Sequence, residues 1–148
     1  MPIPDLDADG FLPEGIHECS LGELEDRFGR FQKSDHRCAM FAKLIAFFGE
    51  VWSSGMATFV IVDGSFVTAK AEPNDVDLVL VLSAGHDLAQ NLRPFEYNVL
   101  SRRMVRKRHG FDLLVARAGS QELDEYIEFF QQVRGEPDRR KGLLKVVP

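Results

Sequence analysis

A chain of 148 residues, 45% of them apolar, is long enough to bury a core without staples and reads most simply as one domain. Its net charge of −5 argues against a protein that coats nucleic acid, because phosphate binding needs clustered Lys and Arg, although it leaves room for a local basic patch. The two cysteines, Cys19 and Cys38, stand far apart and outside any C-x-x-C spacing, so neither a disulfide framework nor a zinc site is signalled and a reducing cytoplasm is expected.

The opening "MPIPDLDADGFLPEG" is acidic and lacks the basic-then-apolar order of a secretory signal. Pro2, Pro4, Pro13, Gly10 and Gly15 predict an irregular arm over residues 1–19, followed by a single domain over 20–148. Ser20 and Glu23 form a capping-box pattern, and Leu21, Leu24, Phe28 and Phe31 recur at helical spacing, predicting a helix to about Gln32. Ser34 suits the cap of a second helix with the stripe Phe41, Leu44, Ile45, Phe48 and Trp52, ending near Ser53-Ser54-Gly55. Thr58 to Val62 is β-branched and apolar and runs into Asp63-Gly64, a strand and its turn. Asp75 to Leu82 predicts a second strand, buried on both faces beyond Asp77. Pro94 suits the first turn of a helix that carries Phe95, Val99, Met104 and Val105 and stops at Gly110. Phe111 to Ala116 is a third strand and Gln121 to Val133 a final amphipathic helix. The tail "RGEPDRRKGLLKVVP" offers a charged turn and an apolar run suited to an edge strand. The order α-α-β-β-α-β-α describes an α/β (α+β) sandwich with a small sheet. The longest apolar stretches fall short of the roughly 20 residues of a membrane helix, so no membrane partner is expected.

Two carboxylates, Asp75 and Asp77, open the second strand, where alternation sets them on one face about 7 Å apart. Burying such anions beside Leu78 to Leu82 raises a pKa unless a cation lies between them. The third strand supplies another carboxylate, Asp112, between Phe111 and Leu113. Three aspartates on neighbouring strands suit one or two divalent ions, and an all-oxygen donor set suits Mg²⁺ or Mn²⁺. Mg²⁺ commonly completes its shell with substrate phosphates, which points to a nucleoside triphosphate and in-line phosphoryl or nucleotidyl displacement. A glycine at the end of a strand, as at Gly64, lets backbone N–H groups approach a phosphate, and the Ser65 hydroxyl can add a donor.

The pattern "GS", a loop, "DVDL" and a third acidic residue resembles the polymerase-β-like nucleotidyltransferase superfamily over residues 58–116. Beyond that core, "LPEGIHECSLGELEDRFG", "DGSFVTAKAEPNDVD" and "FFQQVRGEPDRRKGLLKVV" look like an uncharacterised family of small bacterial nucleotidyltransferase-like proteins. The resemblance implies a nucleotidyltransferase-like fold with a small mixed sheet flanked by helices. It implies metal binding and catalysis at Asp75, Asp77 and Asp112, with Asp112 helping to deprotonate the acceptor hydroxyl. It also implies triphosphate binding at Gly64 and Ser65, with Thr68 and Lys70 of the following loop. The usual Arg-rich loop with a second glycine is replaced here by Phe66-Val67-Thr68-Ala69-Lys70, so that Lys70 stands where an Arg is common.

Three functions compete. The first is nucleotidyl transfer to an unknown acceptor, whether protein, RNA or small molecule. The second is a catalytically weak regulatory or antitoxin-type module that keeps the nucleotide site and works through a protein or RNA partner. The third is RNA binding by the run Arg102, Arg103, Arg106, Lys107 and Arg108, whose plainer reading is a solvated helix face. Asp63 reads as the residue that shapes the turn before Gly64, with a fourth carboxylate at the site as the alternative. His17, His36, His86 and His109 lack metal-ligand spacing and read as structural or exposed.

Overall fold

The computed structural model describes residues 3–31, 35–85, 96 and 99–148. In chain order the elements are β1 (Gly15–Cys19), α1 (Leu21–Leu24) running into a π-helical turn over Glu25–Gly29, α2 (Asp35–Ser54), β2 (Ala57–Asp63), a 3₁₀ turn over Ser65–Val67, and β3 (Asp77–Leu82). After these come α3 (Arg102–His109), β4 (Asp112–Arg117), α4 (Gln121–Gln131), β5 (Gln132–Val133), β6 (Glu136–Arg140) and β7 (Gly142–Val146). The fold is mixed α/β. A five-stranded sheet has the order β1-β7-β2-β3-β4, and β5 and β6 form a separate two-stranded ribbon. The pairs β1–β7 and β3–β4 are parallel, whereas β2 runs antiparallel to both β3 and β7.

Alternation along the strands divides the core in two. Val60, Val62, Leu78, Leu80, Leu144 and Val146 face the side covered by α2, which buries Phe41, Leu44, Phe47, Phe48 and Val51. On the other face, Ile61, Val79, Val81 and Ala116 meet Leu123, Ile127 and Phe130 of α4. Counting by twos, forward from Ile61 and back from Val79 and Ala116, shows that Asp63, Asp77 and Asp112 share the α4 side of the sheet at one end of three adjacent strands.

The helix starts follow the expected local chemistry. Ser20 accepts from Glu23 N while the Glu23 carboxylate accepts from Ser20 N, which completes the capping box. Ser101 and Ser120 cap α3 and α4, and Gly110, at φ 79°, ends α3 in the left-handed region. Ser34, His86, Pro94 and Phe95 lie outside the described residues.

Other expectations are revised. The arm over 1–19 is not irregular throughout: Ile3 and Leu12 are buried, and Gly15–Cys19 joins the sheet as an edge strand beside β7. The first helix turns π-helical after Leu24, with Arg30 N donating to Glu25 O at 3.0 Å. The last helix stops at Gln131 and the chain turns extended at Gln132. The final apolar run forms no edge: β7 lies between β1 and β2, inside the sheet. Among the described residues no helix is long and apolar enough to cross a membrane.

Candidate functional site

Strand register builds the site. Asp63 pairs with Asp77, and Asp77 pairs with Asp112, so three carboxylates stand in one row across β2, β3 and β4. In-register neighbours on adjacent strands lie about 5 Å apart at Cα, and like charges directly opposite one another destabilise the pair. The two outer members carry internal cations. Lys141, at the entrance to β7, holds its ammonium 3.0 Å from Asp63 Oδ1, where Asp63 is only 3% exposed. This contact is an ion pair without hydrogen-bond alignment. Arg106 of α3 donates to Asp112 Oδ1 at 2.9 Å on the exposed end of the row.

Asp77, in the middle, has no hydrogen-bond or ion-pair partner among the described residues. Burial, then repulsion from Asp75, Asp63 and Asp112, pushes its carboxyl up to about 6, with Lys141 opposing. Burial also raises Asp63, against the pull of Lys141.

Asp75 precedes β3 and lines the same cleft as Asp77. Its Oδ1 accepts from Ser65 Oγ at 2.5 Å and from Ser65 N at 3.2 Å. Ser65 Oγ in turn accepts from Asn74 N at 2.9 Å and Asp75 N at 3.1 Å. The Ser65 hydroxyl is therefore committed to fixing the Asn74–Asp75 corner, a role that residue spacing does not distinguish from phosphate donation. Gly64 has a similar internal reason. At φ 95° it lies where side chains are strained, and a Cβ there would stand 2.7 Å from Asp75 O and 3.1 Å from Asp77 N. The strand end and the Asp75–Asp77 segment pass too closely for any larger residue.

The loop after Ser65 hangs on Arg37, which is fully buried in α2. Its guanidinium donates to Phe66 O at 2.6 Å, Thr68 O at 2.7 Å, Lys70 O at 2.5 Å and Phe28 O at 3.1 Å. It also lies 4.9 Å from the Phe31 ring centroid and 5.4 Å from that of Phe66. Burial lowers it to about 10, still charged at neutral pH. Thr68 Oγ1 donates to Ser65 O at 2.7 Å and so locks the loop from within.

Asp63, Asp75 and Asp77 line a cleft of about 640 Å³, with Ser65, Thr68 and Lys70 on its rim. Its lining also includes the apolar Phe129 and Phe130 from the end of α4 and Val133 and Pro137 from the ribbon, beside the polar Gln132 and Arg134. Phe129 remains 66% exposed. Asp112 faces a second, smaller cavity of about 250 Å³.

The structure thus brings Asp75 and Asp77 together with Gly64, Ser65, Thr68 and Lys70, and sets Asp112 at the end of the same row. It sets Asp63, the alternative fourth carboxylate, in that row and adds Lys141 and Arg37. Arg37 had a sequence signal, since it occupies the apolar stripe of Phe41, Leu44 and Phe48 at helical spacing; Lys141, in a basic run, had none. Among the described residues no three acidic, His or Cys side chains are gathered closely enough to hold a metal ion. The donor set still suits a hard cation: carboxylate oxygens only, with Asp77 uncommitted and repelled by its neighbours. Asp75 and Asp77 would hold such an ion, and Asp112 would join them only by exchanging its arginine.

No curated protein and no solved structure matches the chain. Residues 4–147 match DUF6932, a family of unknown function, and the chain belongs to that family.

Proposed function

We propose that the cleft binds a nucleoside triphosphate with Mg²⁺ or Mn²⁺, and that the protein transfers its nucleotidyl group to an acceptor on a nucleotidyltransferase-like fold. The observation that carries this reading is one cleft combining an uncompensated carboxylate, Asp77, with an exposed aromatic wall at Phe129. Aromatic faces stack nucleobases at about 1–3 kcal/mol each, and carboxylates suit the cation that accompanies a triphosphate. In this reading Lys70 supplies a cation to the phosphates, and Gly64 and Ser65 hold the Asp75 corner in shape. Asp112 accepts the proton of the acceptor hydroxyl after leaving Arg106. A bound divalent ion would supply charge neutralisation as the bond to the leaving pyrophosphate breaks.

A second reading, a nucleotide-binding regulatory module acting through a protein or RNA partner, draws support from the engaged state of Asp63, Asp75 and Asp112. Each is held by an internal donor or cation.

Calorimetry with each of the four triphosphates and Mg²⁺ tests binding. Wild type is expected to bind at least one with micromolar affinity, and Asp77→Ala to lose at least tenfold. Affinity no better than millimolar for all four, or equal affinity in the two proteins, overturns the nucleotide reading. Label transfer from the bound triphosphate to lysate fractions then separates enzyme from binding module.

A further inference from the structure

The second cavity is lined by Arg102, Arg103, Arg106, Phe111, Asp112 and Leu113. Arg102, Arg103 and Arg106 of α3 therefore line one cavity together with Asp112, in a chain whose overall charge is negative. The arrangement is locally unfavourable. Arg102 and Arg106 are four residues apart and Arg103 and Arg106 three, spacings at which like charges on a helix repel. Arg102 and Arg103 also occupy the first turn of α3, which holds no acidic residue, although a helix dipole favours anions there. Asp112 offsets one of the three through its 2.9 Å contact with Arg106. On the other side of α3, Arg108 is already paired with Glu50 at 2.8 Å, outside this cavity.

We infer that this cavity is an anion subsite that receives a phosphate group of the acceptor. Arg102, Arg103 and Arg106 have the planar, bidentate geometry that suits phosphate oxygens. A water occupies about 30 Å³ of liquid, so a cavity of about 250 Å³ has room for a phosphate ester rather than a single solvent molecule. The position gives the subsite its role. The row Asp63–Asp77–Asp112 has the larger cleft at its Asp63 and Asp77 members and the arginine cavity at its Asp112 end. A group-transfer site needs two reactants on either side of the reacting atoms. An arriving phosphate also competes with Asp112 for Arg106 and so frees that carboxylate beside the row. Assigning the ligand to an acceptor rests on the transferase reading above; its anionic chemistry does not.

The test omits triphosphate and divalent ions, so that it stands apart from the test of the nucleotide cleft. Binding of a short fluorescent single-stranded RNA is followed by anisotropy at several salt concentrations, and inorganic phosphate is titrated by thermal shift. The proteins are wild type, Arg102→Ala/Arg103→Ala and the control Lys107→Ala, all checked by circular dichroism. Phosphate is expected to raise the melting temperature of wild type and of Lys107→Ala but not of the double variant. If the acceptor is a polynucleotide, RNA affinity falls at least tenfold in the double variant and the salt slope shrinks by about two. Phosphate stabilisation without RNA binding assigns a small phosphorylated acceptor. Absence of any phosphate effect on wild type, or RNA and phosphate binding unchanged in the double variant, overturns the subsite even if triphosphate binds the cleft.

Discussion

Asp77 stands between two carboxylates that each have a cation and has none of its own among the described residues, which makes it the residue where charge and stability conflict. Its carboxyl is pushed up to about 6 in the folded protein, against about 3.9 in an unfolded chain. A raised carboxyl costs nothing below about pH 4, where both states are protonated; the cost grows between about pH 4 and 6 and stays at its full value above that. For a fully buried group such a displacement approaches 3 kcal/mol, and partial solvent screening brings it to about 1 kcal/mol here. Asp77→Asn is therefore expected to be about 1 kcal/mol more stable than wild type at pH 7.5 and equal to it at pH 3.5, as read from urea unfolding. A destabilised Asn variant at both pH values would mean that the carboxylate is a structural acceptor. Ser65 shows the reverse pattern, because its hydroxyl joins Asp75 Oδ1 to two backbone N–H groups. Ser65→Ala removes that junction and is expected to cost about 1–3 kcal/mol. Gly64→Val is expected to be worse, since its side chain meets Asp75 O before any ligand is present. Impaired nucleotide binding in that variant would thus report a distorted corner and not a lost phosphate contact.

At the scale of elements, the loop over residues 66–70 is held by α2 through Arg37 in addition to its own turn bonds, such as Thr68 Oγ1 to Ser65 O. Arg37→Leu leaves the carbonyls of Phe66, Thr68 and Lys70 without their donor and is expected to cost about 3–5 kcal/mol. Arg37→Lys keeps the charge but cannot reproduce the fork, so it should recover less than half of the loss in thermal unfolding. Full recovery would show that charge, and not geometry, holds the loop. How far such elements are legible in a sequence depends on where their side chains go. The strands β2, β3 and β4 were readable because they are largely apolar with β-branched residues among them, and the capping box announced α1. β1 escaped notice because "GIHEC" alternates half-exposed and exposed residues along a sheet edge, and β6 because "EPDRR" is exposed or half-buried throughout. The run "GLLKV" was visible as a strand, but its place between β1 and β2 is a matter of long-range pairing that no local pattern encodes. The same holds for the site. Asp75, Asp77 and Asp112 were singled out by motif and strand position, whereas Asp63 gained its role from facing Asp77, and Lys141 from the hairpin that delivers it.

At the scale of the molecule, the chain closes on its own site. The end of α4 and the ribbon of β5 and β6 supply one side of the cleft, and the turn after the ribbon carries Lys141 to Asp63, which lies almost eighty residues earlier in the sequence. The C-terminal hairpin is thus part of the site, and its ammonium occupies one end of the carboxylate row as a built-in counter-ion. Removing that cation leaves Asp63 buried beside Asp77 without its counter-ion, and breaking a buried pair from one side typically costs about 3–5 kcal/mol. Lys141→Met is expected to lose stability at pH 7.5 and to regain part of it on acidification, because burial already raises the Asp63 carboxyl, and loss of the ammonium raises it further. The sign for metal is opposite. A divalent ion that binds only the folded state stabilises it by mass action, and it meets one more uncompensated carboxylate in the variant than in wild type. Mg²⁺ or Mn²⁺ should therefore raise the melting temperature of Lys141→Met more than that of wild type, and should raise that of Lys141→Met/Asp77→Asn less. Equal shifts in all three proteins would place any bound cation away from the Asp63–Asp77 end of the row, and the counter-ion role of Lys141 would then be purely structural.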